Sequence, residues 1–266
     1  MKPLTAVTPY SPEPFYEKTL LSLTKSDLVE RVVIVGQEPV LFKMGRCRVL
    51  VAEPLSSYDT LSLILDGIRT KYLLLFLGIQ QISFESKALE RILGKAESTK
   101  AGLVYSDLYD ESKHGKTLHP LNDYQLGSVR DDFDFGAMIL FSVAAVRKAL
   151  KKYGLLPGVK SAGLYDIRLK VSIDDSVYHL RKPLYSVIGS VGAIHELPLQ
   201  EKIFAYVDPR NMAVQKEMET VFTDYLKKIG AYLPPNFREV EEIPTAFPVE
   251  ASVVIPVRNR KETIAE

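Results

Sequence analysis

The densest group of side chains that could bind a ligand lies at residues 130–136, which read Arg-Asp-Asp-Phe-Asp-Phe-Gly. Carboxylates accept hydrogen bonds from sugar hydroxyls, and aromatic faces stack on the C–H surface of carbohydrates. A turn that points its charges outward and Phe133 and Phe135 inward explains the same residues equally well. Residues 105–109 and 118–124 share the aromatic bias, so the three stretches could form one wall of a site.

The cysteine and histidine content gives little support for a metal site or for thiol chemistry. Cys47 is the single cysteine, so the chain has no internal disulfide and no multi-thiolate metal site. The four histidines lack the short spacing of a zinc-binding helix; they are His114, His119, His179 and His195.

Composition and charge narrow the classes of partner. The 266 residues carry 34 Lys and Arg against 33 Asp and Glu, a net charge of +1 that does not attract nucleic acid. The longest apolar run, at 72–79, is far shorter than the roughly 20 residues that cross a bilayer. Because the N-terminus also lacks the apolar stretch of a secretion signal, we expect a cytoplasmic protein with no transmembrane segment.

Strand and helix patterns alternate through the first half of the chain. Continuous apolar runs at 31–36 and 72–77 predict strands buried on both faces, and the spacing of apolar residues at 61–68 and 89–96 predicts helices. Helices between strands indicate βαβ units and a mostly parallel α/β sheet. Further strands are predicted at 4–9, 47–52, 101–106 and 136–140, a helix at 143–150, and two elements of unassigned type at 165–171 and 177–180.

The pattern changes after residue 106. Residues 107–135 have no clean period and are predicted to form a long structured loop on the sheet, a feature that is uncommon without a function. Apolar residues between 214 and 229 predict a long helix that packs on the main domain, and residues 234–244 have the composition of an extended linker.

The last residues begin a new fold. Residues 251–260 have the pattern of a buried strand ended by proline, and they repeat the beginning of the chain at 4–10. A strand followed by so few residues cannot bury itself, so we expect the chain to be the N-terminal part of a longer protein. The predicted organisation is a domain at 1–200, a helical extension and linker at 201–248, and the truncated start of a second domain at 249–266.

These segments resemble family 2 glycosyltransferases, which are enzymes of the GT-A fold. Residues 252–264 are similar to the family's first strand and helix, with its S-V-[IV]-I-P-x-[YR]-N pattern. Residues 5–10 lie where that strand would begin the first domain, and residues 66–77 and 162–169 resemble two further family segments. The resemblance implies a GT-A-type, Rossmann-like α/β fold with helices on both faces of the sheet, followed by a C-terminal helical extension.

The resemblance also exposes a missing metal site. In the family the central strand ends in Asp-x-Asp, whose carboxylates hold Mg²⁺ or Mn²⁺ on the diphosphate of a sugar nucleotide. This chain has Gly78-Ile79-Gln80 there, so no metal is expected unless displaced carboxylates such as Asp107 and Asp110 serve. A solvated loop edge explains those two aspartates as well.

Site residues follow from the resemblance position by position. Asp166 matches the family's catalytic base, although it could instead pair with Arg168 or Lys170 or cap a helix. Glu38 follows the second strand one or two positions later than the family's nucleobase-binding acid. The implied nucleotide-sugar-binding residues are Thr8, Pro9, Tyr10, Glu38, Gly78, Gln80 and Asp107, and the candidate acceptor-binding residues are Arg130, Asp131, Asp132 and Asp134.

Two functions follow as hypotheses. The first is inverting transfer of a sugar from a nucleotide diphosphate sugar to a glycan or other hydroxyl acceptor, with Arg130, Arg181 and Lys182 as candidates to stabilise the diphosphate. The second is a non-catalytic module that binds glycan or positions a catalytic glycosyltransferase domain later in the same chain. A nucleotidyltransferase or dehydrogenase is disfavoured because residues 9–14, after the first strand, contain no glycine for a phosphate loop.

Overall fold

The structure is a computed structural model that describes residues 2–39, 44–188 and 211–239. The chain divides into two compact units, Met1–Tyr232 and Leu233–Glu266. The described residues of the second unit, 233–239, contain no helix or strand. The predicted start of a second domain at 249–266 lies outside the described residues, as do residues 201–210 of the predicted helical extension.

The first unit contains the secondary structure of the described residues. The strands are β1 (Leu4–Pro9), β2 (Val29–Gly36), β3 (Cys47–Val51), β4 (Tyr72–Phe76), β5 (Gln81–Phe84), β6 (Leu103–Ser106), β7 (Leu108–Ser112), β8 (Gly115–His119), β9 (Met138–Ser142), β10 (Val177–Leu180) and β11 (Tyr185–Ile188). The helices are α1 (Pro14–Lys25), α2 (Tyr58–Gly67), α3 (Ala88–Thr99), α4 (Val143–Tyr153), α5 (Gly163–Asp174) and α6 (Met212–Lys228).

A seven-stranded sheet forms the centre of the unit, in the order β3-β2-β1-β4-β9-β6-β10. Only β9 among these strands runs antiparallel to its neighbours. All five residues of β4 are buried, as its continuous apolar run predicts, and Leu74 pairs with Ala6 of β1. The predicted mostly parallel α/β fold is therefore confirmed, and α6 is the predicted C-terminal helix.

Residues 108–119 correct the sequence analysis. They form the β7–β8 hairpin of a second sheet, ordered β5-β11-β7-β8, so the prediction of a loop there is wrong. The reason is burial: all five residues of β8 are exposed or half-buried, and a strand of this kind needs no apolar run. No helix in the described part of the chain is long and apolar enough to cross a membrane.

The parallel strands of the main sheet bring their carboxyl ends to one side of the molecule. Residues 8–10, 36–38, 77–80, 107 and 180–182 follow or end these strands, and we call this side the strand-end edge. Ligands of open α/β sheets bind at this edge. The first turns of α2 and α5 also meet, because the Gly163 amide donates to the Ser56 carbonyl oxygen over 2.8 Å.

Gly163→Ala tests this contact between helix starts. A Cβ at residue 163 would lie 2.7 Å from the Ser56 carbonyl oxygen and 2.9 Å from the Tyr58 amide nitrogen, and neither backbone atom can rotate away. We expect Gly163→Ala to lower the free energy of unfolding by about 1–3 kcal/mol in urea denaturation. Gly94→Ala is the control: nothing lies within 4 Å of its added Cβ in α3, so it should stabilise by up to about 1 kcal/mol. Equal effects of the two substitutions would contradict the packing.

Candidate functional site

The segment after β4 lies where GT-A enzymes have their metal-binding Asp-x-Asp motif, but it lacks the carboxylates of that motif. The Leu77 amide donates to the Ala137 carbonyl oxygen over 2.9 Å, which fixes the exit of the chain from the sheet. The Gln80 amide folds back over Gly78, with its Nε2 3.7 Å from where a Gly78 Cβ would be. The Gln80 Oε1 is shielded from solvent and has no hydrogen-bond partner among the described residues.

The aspartates considered as displaced metal ligands are occupied by other partners. Asp107 Oδ1 accepts hydrogen bonds from the Leu121 amide over 2.9 Å and from His179 Nε2 over 2.8 Å. Asp110 Oδ2 lies 2.9 Å from Nδ1 of His119. Residues 2–39, 44–188 and 211–239 contain no group of three His, Cys, Asp or Glu side chains placed to hold a metal. The donor set therefore does not fit the divalent cation of the GT-A family.

Asp107 instead belongs to a polar network at one end of the strand-end edge. The His179 ring stacks on Tyr105 at 4.7 Å, and its Nδ1 lies 2.7 Å from Asp123 Oδ1. Arg181 also donates to Asp123. Because each ring nitrogen of His179 contacts an aspartate, this network ties residues 121–124 to β6 and β10.

Asp166, the residue matched to the catalytic base, lies in a buried ion pair. It is only 1% exposed, and its Oδ2 accepts a hydrogen bond from the equally buried Lys170, one turn later on α5. Lys170 Nζ also donates to the Gly154 carbonyl oxygen over 2.8 Å. Burial raises the pKa of Asp166 to about 6, and the Lys170 ammonium opposes part of that rise. In this conformation the carboxylate has no surface that an acceptor hydroxyl could reach.

The first turn of α5 provides no second base beside Asp166. Gly163, Leu164 and Tyr165 complete the first turn of α5 and carry no carboxylate. Of the two cations considered as partners for Asp166, Lys170 is the one that pairs. Arg168 instead donates from Nη2 to the Arg130 carbonyl oxygen over 2.8 Å.

The acidic and aromatic cluster at 130–136 has its charges outward and its rings inward. Arg130 and Asp132 form an exposed ion pair, and Asp131 is also exposed. Asp134 Oδ1 accepts from the Gly136 amide over 2.8 Å. Phe133 packs on the core and Phe135 is buried, with their ring centroids 4.7 Å apart. This arrangement matches the turn interpretation, and it leaves the four candidate acceptor-binding residues on the surface.

The residues expected to bind nucleotide at the end of β1 and β2 lie at the strand-end edge. The Tyr10 amide donates to the Val35 carbonyl oxygen over 2.7 Å, and the Tyr10 ring packs edge-on against Tyr16. Thr8 Oγ1 donates to the Pro9 carbonyl oxygen over 3.1 Å, and Glu38 is exposed at the end of β2. Since β1 pairs with β4, Tyr10 and Gly78 follow neighbouring strands.

Sequence reasoning missed two contacts that shape this side of the molecule. Glu217 of α6 accepts hydrogen bonds at Oε2 from the amides of Lys160, Ser161 and Ala162, over 2.6–3.3 Å, just before α5 begins. Arg168 is 4% exposed and lies between the Phe135 and Tyr165 rings. The position of Arg168 between the apolar residues Ile167 and Leu169 was a sequence signal that its side chain is buried. Nothing in the sequence links Glu217 to residues 56 positions away.

Comparisons with known proteins support the fold. No protein-family model matches the sequence, and no curated protein sequence matches it. The chain is similar to the crystal structure of S. aureus TarS residues 1–349, with a TM-score of 0.50 and 14% identity over 87% of this chain and 72% of that one. The complex of TarS 1–349 with UDP gives a TM-score of 0.50 at 13% identity, with the same coverage.

The similarity to the full TarS structure has the same TM-score and covers 44% of that chain. TarS is a family 2 glycosyltransferase. At this level of identity the comparison shows the fold alone. The protein therefore has a GT-A-like α/β fold, and the chemistry must be argued from its own residues.

Lys170→Met tests the buried ion pair. The substitution leaves the Asp166 carboxylate buried without a partner, so we expect a loss of about 3–5 kcal/mol in the free energy of unfolding. The double variant Asp166→Leu/Lys170→Met removes both charges and should recover most of that loss. Lys71→Met, which breaks the exposed pair with Glu97, is the control and should change stability by less than about 1 kcal/mol. A small effect of Lys170→Met would contradict a buried Asp166 carboxylate that depends on Lys170.

Glu217→Ala tests the contact that α6 makes at the start of α5. Loss of a carboxylate that accepts from three backbone amides should lower the free energy of unfolding by about 1–2 kcal/mol. Glu219→Ala, on the same helix and exposed, is the matched control and should stay within about 0.5 kcal/mol of the parent. Indistinguishable chemical denaturation curves for the two variants would exclude the contact.

Proposed function

We propose that residues 1–232 form a GT-A-like module that binds a nucleotide sugar or its nucleotide at the strand-end edge without transferring the sugar. The observation that carries this proposal is the burial of Asp166 against Lys170. Inverting transfer needs a base within hydrogen-bond reach of the acceptor hydroxyl. The only residue matched to that role is enclosed, and its neighbours on the first turn of α5 carry no carboxylate.

The electrostatics at the strand-end edge favour the same proposal. Departure of a nucleoside diphosphate develops negative charge that an enzyme must stabilise. Gly78 and Gln80 contribute no carboxylate for a metal. Of the three cations suggested in its place, Arg130 pairs with Asp132 and Arg181 pairs with Asp123, whereas Lys182 is exposed. Binding a nucleotide sugar needs less charge stabilisation than breaking its glycosidic bond. The charges at this edge therefore favour binding over sugar transfer.

Fold-level analogy adds support for a nucleotide ligand. TarS has been crystallised with UDP, and this chain has the same fold. In folds of this kind, ligands bind outside the carboxyl ends of the strands, where Thr8, Pro9 and Tyr10 lie. Glycan binding at 130–136 has less support because Phe135 is buried and Phe133 packs on the core, so their faces are not free to stack on sugar.

A catalytic glycosyltransferase is the second candidate, and one observation favours it. The pKa of Asp166 is raised to about 6, close to the range in which a general base works at neutral pH. For transfer, Lys170 would have to release the carboxylate, and α6, whose Asp224 and Lys228 influence Asp166, would have to shift. Asp166 would then take the proton of the acceptor hydroxyl as its oxygen attacks the anomeric carbon and the nucleoside diphosphate leaves.

Calorimetry and product analysis on the same protein separate the two candidates. Our proposal predicts that UDP binds in isothermal titration, and that incubation with UDP-sugars and hydroxyl acceptors releases no more UDP than the Asp166→Asn variant does. UDP release above that of Asp166→Asn would establish transfer and overturn the proposal. Absence of UDP binding at millimolar concentration would also overturn it.

A further inference from the structure

The main sheet ends at β10, and none of the described strands pairs with the outward side of this strand. We call that side, at residues 177–180, the β10 edge. β10 runs parallel to β6 in a regular register, with Val177 opposite Leu103 and Leu180 opposite Ser106. Its four residues include no proline, no lysine and no bulge, which are among the devices that protect a sheet edge from further pairing. The β10 edge is therefore a place where another strand can be added.

Backbone hydrogen bonds show which groups of β10 face outward. The Leu180 carbonyl oxygen accepts from the Asp107 amide over 3.3 Å, and the Ser176 carbonyl oxygen accepts from the first amide of β6 over 3.4 Å. In a parallel pair, the N–H and C=O groups of alternate residues point to the same neighbouring strand, so the even-numbered residues pair with β6. The amides and carbonyls of Val177 and His179 therefore point away from the sheet.

A cavity of about 530 Å³ lies along the β10 edge. It is lined by the four residues of β10 together with Asp123, Tyr124 and Arg181. The side chain of His179 is only 4% exposed, yet the residue as a whole is half-buried, so the exposed part of His179 is mainly its backbone. The outward backbone groups are therefore open to solvent, inside a cavity large enough for a ligand.

The charged side chains beside the cavity favour an acidic partner. Arg181 is 74% exposed and pairs with Asp123, the one carboxylate among the residues that line the cavity. Lys182 is exposed directly after Arg181, and Lys95 of α3 lies over a tyrosine ring of β10 at 5.1 Å. The two aspartates just before β10 already pair with lysines of α4. Carboxylates brought by a partner would meet these cations with little repulsion.

We propose that the β10 edge docks an acidic peptide segment of another protein, which adds to the main sheet as an extra strand. The outward N–H and C=O groups of Val177 and His179 hydrogen-bond with its backbone, and the cations beside the cavity bind its carboxylates. Four residues of extended chain span about 13 Å, so the docked segment is short. This edge lies at the opposite end of the sheet from β3, and docking there does not depend on the nucleotide binding proposed above.

Hydrogen exchange of backbone amides, measured by NMR on the intact chain, tests the direction of the strand. In the free protein we expect the amides of Val177 and His179 to exchange at least about 10-fold faster than those of Tyr178 and Leu180, which pair with β6. Slow exchange at Val177 and His179 in the free protein would mean that this chain or a second copy already covers the edge. That result would overturn the proposal.

Fluorescence anisotropy with a labelled peptide of alternating glutamate and valine tests the partner. The matched peptide has lysine in place of glutamate. We expect the acidic peptide to bind with a dissociation constant below about 1 mM, and the basic peptide to bind at least about 10-fold more weakly. Binding should also slow the exchange of the Val177 and His179 amides. Equal binding of the two peptides, or no binding of the acidic one, would contradict the proposal.

Two proline substitutions separate docking from folding. Val177→Pro removes an outward amide and leaves the hydrogen bonds to β6 in place, a position at which sheets tolerate proline. We expect this variant to melt like the parent and to bind the acidic peptide at least about 10-fold more weakly. Tyr178→Pro removes an amide that pairs with β6 and should lower the melting temperature instead. A folded Val177→Pro variant that binds like the parent would exclude the β10 edge.

Charge reversal provides a second test that leaves the backbone of β10 intact. Lys95→Glu should weaken binding of the acidic peptide about 5-fold or more, because it places a carboxylate beside the docked segment. Lys18→Glu makes the same change at an exposed position of α1 and should bind like the parent. Equal affinities of these two variants for the acidic peptide would show that the charges at the β10 edge do not recognise the partner, and the proposal would fail.

Discussion

The rule that buried charge must be paired governs this side of the molecule. Asp166 lies where α5 begins, and its carboxylate is compensated inside the protein by Lys170 rather than exposed to a substrate. The same helix start is held by Glu217 of α6 and by the close contact of Gly163 with residues before α2. A charge fixed by so many neighbours is suited to maintaining the shape of the edge. It is poorly suited to exchanging protons with a ligand.

The strand-end edge therefore has the frame of a GT-A-like fold, with a glycine and a neutral amide where that fold can hold a cation. The large central sheet and its helices match a GT-A-like fold. At the end of β4, where the family binds a cation, this chain has a glycine and a neutral amide. A fold constrains where a ligand can lie, whereas a reaction depends on a few side chains. Proteins that share a fold can therefore differ in the reaction they catalyse.

The sequence predicted the features that depend on local pattern. The apolar run of β4, the helix spacing of α2 and α3 and the absence of carboxylates at residues 78–80 need no tertiary information. The β7–β8 hairpin was missed because neither its half-buried strand β7 nor its mainly exposed strand β8 has an apolar run. Three features required coordinates: the choice of Lys170 over Arg168 as partner of Asp166, the Glu217 contact, and the unpaired oxygen of Gln80. Each depends on the direction in which a side chain points.

A crystal structure of the intact chain with a UDP-sugar bound is the most direct test of this account. We predict an unbroken sugar–diphosphate linkage at the strand-end edge, and an ion pair between Asp166 and Lys170 that persists in the complex. A complex in which Lys170 has turned away and the Asp166 carboxylate faces the anomeric carbon would contradict the account. Such a structure would identify this module as a transferase.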